Sequence, residues 1–240
     1  KGTASKPIIM TAKADNIQAD GTYPSTGASL TVNSRGLWGG LLVLGKAPSS
    51  FKGDVSELQI EGIPVSDTNG LYGGSVSDDN SGTMQYISIR HGGAEIGEGN
   101  EINGLTLGGV GSGTVIDHIE VIANVDDGIE FFGGTVNASY LLVWGQGDDA
   151  LDIDQAYSGT IDDAYVILED ASDHGMEIDG PEGSAAGSFT IKNAIPGLPN
   201  VGKILPDILD NLDFFRFSDQ LVYTQKCLTE THFLIFWWVF

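Results

Sequence analysis

Short stretches in which apolar and polar residues alternate recur through the middle of the chain. One set of these stretches reads Tyr86–Ile89, His118–Val121, Tyr140–Val143 and Tyr165–Leu168. Successive side chains of a β-strand point to opposite faces, so each stretch is predicted to be a strand with one apolar face. The predicted inward residues are Ile87, Ile89, Ile119, Val121, Leu141, Val143, Val166 and Leu168.

A second kind of stretch follows each of the first and has a different signature. Its members begin with a polar residue and then a small one, and they read Asn103–Leu107, Asp127–Phe131, Asp149–Ile153 and His174–Ile178. The segment Gly39–Val43 resembles them. Alternation predicts that Leu105, Ile129, Leu151 and Met176 point inward, and that Thr106, Glu130, Asp152 and Glu177 point outward.

Gly-Thr pairs punctuate this region and indicate a repeat. They begin at Gly82, Gly113, Gly134 and Gly159, and Gly187-Ser188 resembles a fifth, which gives intervals of 31, 21, 25 and 28 residues. Short strands with similar residues at equivalent positions of each unit are typical of stacked coils. The pattern therefore predicts an all-β fold, namely a right-handed parallel β-helix (β-solenoid).

The two ends of the chain lack the repeat. Residues 1–35 are polar and are predicted to form a lead-in or N-terminal cap, because an open solenoid edge needs protection. The β-helix is predicted over residues 36–195. Residues 196–240 carry aromatic clusters and are predicted to be an irregular tail of uncertain structure.

The net charge limits the classes of partner that the protein is expected to bind. A formal net charge of −22 disfavours nucleic acid, because binding it depends on Lys and Arg side chains that neutralise phosphates. An acidic surface instead suits solubility or divalent cations. The single cysteine, Cys227, allows no intrachain disulfide, and no apolar run reaches the roughly 18 residues of a membrane span.

Several runs resemble a group of exported bacterial repeat proteins, of the kind found in Bacteroidetes and marine bacteria. They are Leu71–Gly74, Asp78–Gly82, Tyr86–Ile89, Asn100–Gly109 and Asp126–Thr135. The resemblance spans roughly residues 36–192. It implies a parallel β-helix that is secreted or held at a bacterial cell surface, and it implies no defined activity.

Paired polar residues stand just before the second strand of three consecutive units: Asp126-Asp127, Asp148-Asp149 and Asp173-His174. Stacked carboxylates repel one another, and Ca²⁺ prefers 6 to 8 oxygen ligands, so a Ca²⁺ site is one interpretation. Its candidate ligands are Asp126, Asp127, Glu130, Asp148, Asp149, Asp152, Asp173 and Glu177. The alternative is that these residues bind turn backbone and need no ligand.

The order of polar residues is also similar to the polygalacturonase family of β-helix hydrolases. The matching runs are Asn124–Asp126, Asp148-Asp149, His174-Gly175 and Thr190–Lys192. The resemblance implies that Asp148 is the general acid, that Asp126 and Asp149 activate water, that His174 tunes them and that Lys192 holds substrate. Thr190 stands where that family has arginine, and Asp173 replaces a glycine.

Aromatic side chains form a second candidate surface. Tyr86, His118, Tyr140 and Tyr165 begin the first strand of successive units, and Trp144 lies beside them. Such a column can bind sugar rings or can stack upon itself.

The sequence therefore predicts a secreted or cell-surface module that binds Ca²⁺ and possesses a face for a polysaccharide or cell-surface glycan. The alternative is a polysaccharide hydrolase or lyase that uses Asp126, Asp148, Asp149 and His174. A purely architectural surface repeat is a third hypothesis.

Overall fold

The computed structural model describes residues 1–95 and 102–199, with side chains up to residue 194. Within them lie fourteen strands and one short 3₁₀-helix, Thr68–Gly70. The strands are β1 (Ile8–Met10), β2 (Leu41–Leu44), β3 (Leu58–Gln59), β4 (Leu71–Tyr72), β5 (Thr83–Arg90), β6 (Leu105–Gly108), β7 (Val115–Ile122), β8 (Ile129–Phe132), β9 (Asn137–Trp144), β10 (Leu151–Asp154), β11 (Thr160–Leu168), β12 (Glu177–Gly180), β13 (Thr190–Lys192) and β14 (Ile195–Pro199).

Two parallel sheets contain most of these strands, and the chain alternates between them. The first sheet has the order β1-β5-β7-β9-β11-β13, with β14 also paired to β11. The second has the order β12-β10-β8-β6-β2. Each coil thus adds one strand to each sheet, which confirms the predicted all-β parallel β-helix. Right-handed winding stays a prediction.

The register of the second sheet agrees with the sequence pattern. Leu105, Ile129 and Leu151 are paired in successive strands, and Leu41 precedes them in β2. Leu105, Ile129, Phe131 and Leu151 are all fully buried. They pack between the sheets against Ile119, Val121, Leu141 and Val143 of the first sheet, and these residues form one continuous core. Burial of this apolar surface is the main stabilising force of the stack.

A sharp corner interrupts every long strand of the first sheet. The corner residues Tyr86, His118, Tyr140 and Asp163 have φ values of 54°, 53°, 54° and 54°, and Asn193, which directly follows the short strand β13, has a φ of 48°. This left-handed conformation costs a non-glycine residue roughly 1–2 kcal/mol. The corner turns the strand between its two halves, so its repetition shapes every coil in the same way.

Tyr165 is not part of this column, which corrects the sequence prediction. Tyr165 pairs with Leu142 and Ala164 with Leu141, so Asp163 occupies the place predicted for Tyr165. The cause is the unequal distance from the Gly-Thr pairs to the strands. Ile161 directly follows Thr160, whereas its partner Ala138 comes three residues after Thr135, and this difference of two residues puts Asp163 in the place predicted for Tyr165.

The N-terminal segment joins the stack. β1 pairs in parallel with β5, so it covers one edge of the first sheet. Farther along, the Arg35 Nε atom donates to the Gly145 carbonyl at 2.8 Å, and the Trp38 Nε1 atom donates to the Arg90 carbonyl at 2.7 Å. The domain boundaries at residues 35 and 195 stay predictions, and the tail from residue 200 lies outside the described residues.

Residues 48–74, here called the strap, lie across the outer face of the second sheet. The strap contains the antiparallel pair β3–β4. Its Phe51, Ile60 and Tyr72 are buried with Phe132 in a second apolar cluster, which also contacts Leu42 and Leu44. Phe51 and Tyr72 meet edge to face with ring centroids 5.2 Å apart. The outer face of a solenoid sheet is therefore partly covered here.

Candidate functional site

The acidic pairs follow turns that buried amide side chains fix in place. The Asn124 Nδ2 atom donates to the carbonyls of Ile102 and Asp127, both at 2.9 Å. One coil later, the Gln146 Nε2 atom donates to the carbonyls of Asp148 and His174 at 3.2 and 3.4 Å. Each amide spans two coils, so the carboxylates of adjacent coils are held in register.

The second member of each pair forms a ladder along the stack. The Asp127 Oδ1 atom accepts the backbone N–H of Asp149 at 3.0 Å. The Asp149 Oδ1 atom accepts the backbone N–H of His174 at 2.8 Å and lies 3.0 Å from His174 Nδ1. Asp149 is only 2% exposed. These two carboxylates therefore stabilise the next coil whatever else they bind.

Two groups of three carboxylates arise around the ladder. The outer triad consists of Asp126, Asp127 and Asp148, which are half-buried, buried and exposed respectively. The inner triad consists of Asp127, Glu130 and Asp152, of which only Asp152 is partly exposed. In each triad, one carboxylate oxygen from each of the three residues lies within 4.8 Å of those from the other two. Asp127 belongs to both triads.

The inner triad differs from its sequence prediction in one respect. Thr106, Glu130 and Asp152 share the predicted column on the outer face of the second sheet. Thr106 and Glu130 are nevertheless buried, at 3% and 6% exposure, because the strap lies over this face. Alternation identifies the face on which a side chain lies, but it cannot reveal a distant segment that covers that face.

Burial and mutual repulsion shift the acidity of several of these groups. Burial, together with the Asp126 carboxylate, raises the pKa of Asp127 to about 8. Burial and the neighbouring Asp152 and Asp127 raise the pKa of Glu130 well above its usual range. A hydrogen bond with Asp149, and then burial, raises the pKa of Glu177 to about 7. A cation or a proton would relieve this repulsion.

The predicted catalytic residues are brought together in part. Asp149 contacts His174, whose side chain is 63% exposed, and Asp126 and Asp148 lie together in the outer triad. Asp173 is exposed and lies 3.4 Å from His174 Nδ1. Lys192 does not join them, which corrects the predicted arrangement. It belongs to β13 of the first sheet, where register places it beside Asp162 and its ammonium lies 3.7 Å from that carboxylate.

Three of the predicted aromatic residues form a stack. The ring centroids of Tyr86 and His118 are 4.3 Å apart, and those of His118 and Tyr140 are 4.5 Å apart. His118 is therefore covered on both faces by its neighbours. Trp144 lies at another register position and donates from Nε1 to Glu169 at 2.9 Å. The stack thus stabilises the corner column.

Comparison with known protein families adds one finding. The model of the pectate-lyase-like β-helix domain family matches residues 1–205. The chain belongs to this family. Neither curated proteins nor solved structures gave a match. Among the residues that the structure describes, no helix is long and apolar enough to cross a membrane.

Some residues of the candidate site in this pectate-lyase-like β-helix domain were not predicted from the sequence. Gln146 was missed although it is one coil after Asn124 and performs the same task. Glu61 was also missed, because it belongs to the strap, where no repeat pattern exists. It lines a small cleft together with Leu42, Ile60, Ile102, Asn103 and Thr106. Partial burial of its carboxyl group, and the nearby Asp152, raise the pKa of Glu61.

Proposed function

We propose that this protein is an extracellular β-helix module that binds Ca²⁺ at the outer triad and uses the ion to contact an acidic glycan. The observation that carries the proposal is the convergence of Asp126, Asp127 and Asp148 from two adjacent coils, with oxygen atoms within 4.8 Å. Hard carboxylate oxygens at this spacing suit Ca²⁺, which binds its ligands at about 2.3–2.6 Å.

The exposure of the outer triad supports the glycan part of the proposal. Asp148 is exposed and Asp126 is half-buried, so an ion held by them keeps coordination positions that face solvent. A polysaccharide carboxylate can occupy such positions. With a net charge of −22, the chain would otherwise repel an anionic polymer. Family membership is consistent with a carbohydrate partner and with a location outside the cell.

Calcium is expected to raise the melting temperature of the protein relative to EDTA. A ligand that binds only the folded state stabilises it by RT ln(1 + [L]/Kd), which is about 2.7 kcal/mol at 100 times Kd. Differential scanning fluorimetry across a Ca²⁺ series measures the shift. The double variant Asp126→Asn/Asp148→Asn should lose this shift.

Asp170→Asn is the matched control, because Asp170 is an exposed acidic residue in the turn after β11. It removes a negative charge without touching the triad and should keep the full shift. Polygalacturonate beads should retain the wild-type protein in Ca²⁺ and release it in EDTA. An identical melting temperature in Ca²⁺ and in EDTA would rule out the ion site.

Cleavage of a polysaccharide is the second candidate function. It is favoured by the 3.0 Å contact between Asp149 and the exposed His174, because a carboxylate that orients an imidazole is a common general acid–base arrangement. Asp148 would then be the residue that meets substrate directly.

An acidic-polysaccharide panel tests this candidate through newly formed reducing ends and through absorbance of unsaturated products. If cleavage occurs, Asp148→Asn is expected to lower the rate by roughly 10² or more, in line with the loss of a general acid. His174→Ala should also lower it, whereas Asp170→Asn should not. A panel without products, or full activity in Asp148→Asn, would exclude this role.

A further inference from the structure

The last coil that the structure describes has an open end. β12 is the final strand of the second sheet, and among the described strands it pairs only with β10. Its opposite edge therefore carries no ladder within the described part of the chain. Unpaired strand edges are templates for association between molecules, and solenoid proteins protect them with a capping segment.

The side chains of the last coil are open to solvent as well. Register places Ile178 in one column with Leu107, Phe131 and Ile153. Those three residues are at most 2% exposed, whereas Ile178 is 53% exposed. Met176, two residues before Ile178, packs against the core and is only partly buried. Within the described residues, nothing continues the apolar column beyond Ile178.

The path of the chain indicates which segment arrives there next. Each coil places a strand in the first sheet and then one in the second, and β14 is the last described strand of the first sheet. In the three preceding coils, the second-sheet strand begins 7 residues after Ile122, 7 after Trp144 and 9 after Leu168. The same distances counted from Pro199, where β14 ends, lead to residues 206–208.

The sequence at this position suits an apolar surface. Residues 204–215, here called the downstream segment, lie outside the described residues. Asp207, Asp210 and Asp213 recur at every third position of it. The positions around them are mainly apolar, namely Ile204, Leu205, Ile208, Leu209, Leu212, Phe214 and Phe215. A segment of this composition can bury its apolar side chains and leave its aspartates in water.

We propose that the downstream segment covers the open end of the last coil and packs its apolar side chains on Ile178 and Met176. This segment is favoured over a second molecule because only a short stretch separates it from β14, which gives it a high effective concentration. The cover protects the free edge of β12 and so prevents end-to-end association of the protein. The inference is independent of the proposed Ca²⁺ function, because neither triad takes part in it.

Thiol labelling of Ile178→Cys in the full chain tests the cover. Cys227→Ser first removes the only native thiol. Val115→Cys is the reference, because Val115 is 43% exposed and lies in β7, away from the last coil. Iodoacetamide should modify the Ile178→Cys thiol at least about tenfold more slowly than the Val115→Cys thiol, since labelling requires the cover to open. Equal rates would overturn the proposal.

A pair of matched double variants identifies the segment that protects. Leu209→Ser/Leu212→Ser should raise the labelling rate of Ile178→Cys to that of Val115→Cys, whereas Asp210→Ser/Asp213→Ser should leave it slow. Circular dichroism checks that each variant folds. Protection that survives the loss of both leucines contradicts the proposal. So does protection that grows with protein concentration together with a doubled mass in light scattering, because a second copy would then be the cover.

A disulfide measures the contact directly and does not need a destabilised variant. In the Cys227→Ser background, Ile178→Cys/Leu209→Cys should form a bond within one molecule on mild oxidation, which mass spectrometry of the linked peptides detects. Val115→Cys/Leu209→Cys should not form it. The absence of any link between positions 178 and 209, or a link found only between two molecules, would refute the cover.

Discussion

In EDTA, raising the pH from 5 to 8 is expected to lower the free energy of unfolding by about 4 kcal/mol through Asp127 alone. The pKa of this carboxyl is about 8 in the folded protein, against a usual 3.8, because it is buried beside Asp126. The folded state therefore keeps a proton that the unfolded chain has lost. Stability is greatest below the unfolded pKa and is lost as pH rises through the folded value.

Urea denaturation at pH 5, 6, 7 and 8 measures this effect, and Asp127→Asn is the decisive variant. The asparagine oxygen can still accept the backbone N–H of Asp149, so the ladder is kept while the titrating group is removed. The pH dependence should become flatter by about the same 4 kcal/mol. Asp170→Asn should retain the wild-type slope. A profile for Asp127→Asn that follows the wild type would contradict the buried carboxyl.

The substitution Phe131→Ala is expected to lower the free energy of unfolding by about 4 kcal/mol, because it leaves a cavity in the centre of the stack. Phe131 is fully buried and packs against the Tyr157 ring with centroids 4.7 Å apart. The backbones of β6 and β10 are paired to β8 on both sides. They cannot move inward to fill the space without breaking two ladders.

Two further variants serve as controls for the size of the stability loss in Phe131→Ala. Phe131→Leu keeps most of the buried volume and should cost much less than Phe131→Ala. Val115→Ala, in β7 of the first sheet, removes an apolar side chain that is 43% exposed and should change stability by less than about 1 kcal/mol. If Phe131→Ala were no worse than Val115→Ala, the stack would not have the rigid core described above.

Most of the second sheet was predictable because its coils repeat the same short pattern. A polar residue, a small residue and then alternating apolar side chains recur from Asn103 to His174, and the observed register follows them. At Gly128 the small residue is required on steric grounds, because an added Cβ would lie 2.3 Å from Val143 Cγ1 and 2.6 Å from the Ala150 carbonyl oxygen. Repetition makes such constraints visible in a single sequence.

The first sheet was harder to align, because its corner accepts chemically different residues. Tyrosine, histidine, aspartate and asparagine all occupy it, and the shared property is a positive φ that no hydrophobicity pattern reports. The error at Tyr165 followed from treating aromatic character as the signal. Lys192 was misplaced for a related reason, since order along the chain does not reveal to which sheet a residue belongs.

The candidate site was predictable in its members and less so in its surroundings. Asp126, Asp127 and Asp148 were identified from their stacking, and the structure brings them together. The division into an outer and an inner group depends on the strap, which contacts the coils through its own irregular residues. Glu61 carries no signal in the sequence, because it belongs to the strap, where the repeat is absent.

The strap also has a consequence for how the chain folds. The strap comes early in the sequence, but it contacts late coils. The backbone N–H of Ser50 donates to the Gln155 carbonyl, and the Asp54 carboxylate accepts the backbone N–H of Ser184, which is 130 residues away in sequence. Coils of a solenoid ordinarily interact only with their neighbours, so terminal coils can unfold independently. In this protein the strap, which is early in the sequence, packs on coils that are late in the sequence. It can dock only after those coils have folded. We expect a single cooperative unfolding transition and slow refolding, set by this long-range closure.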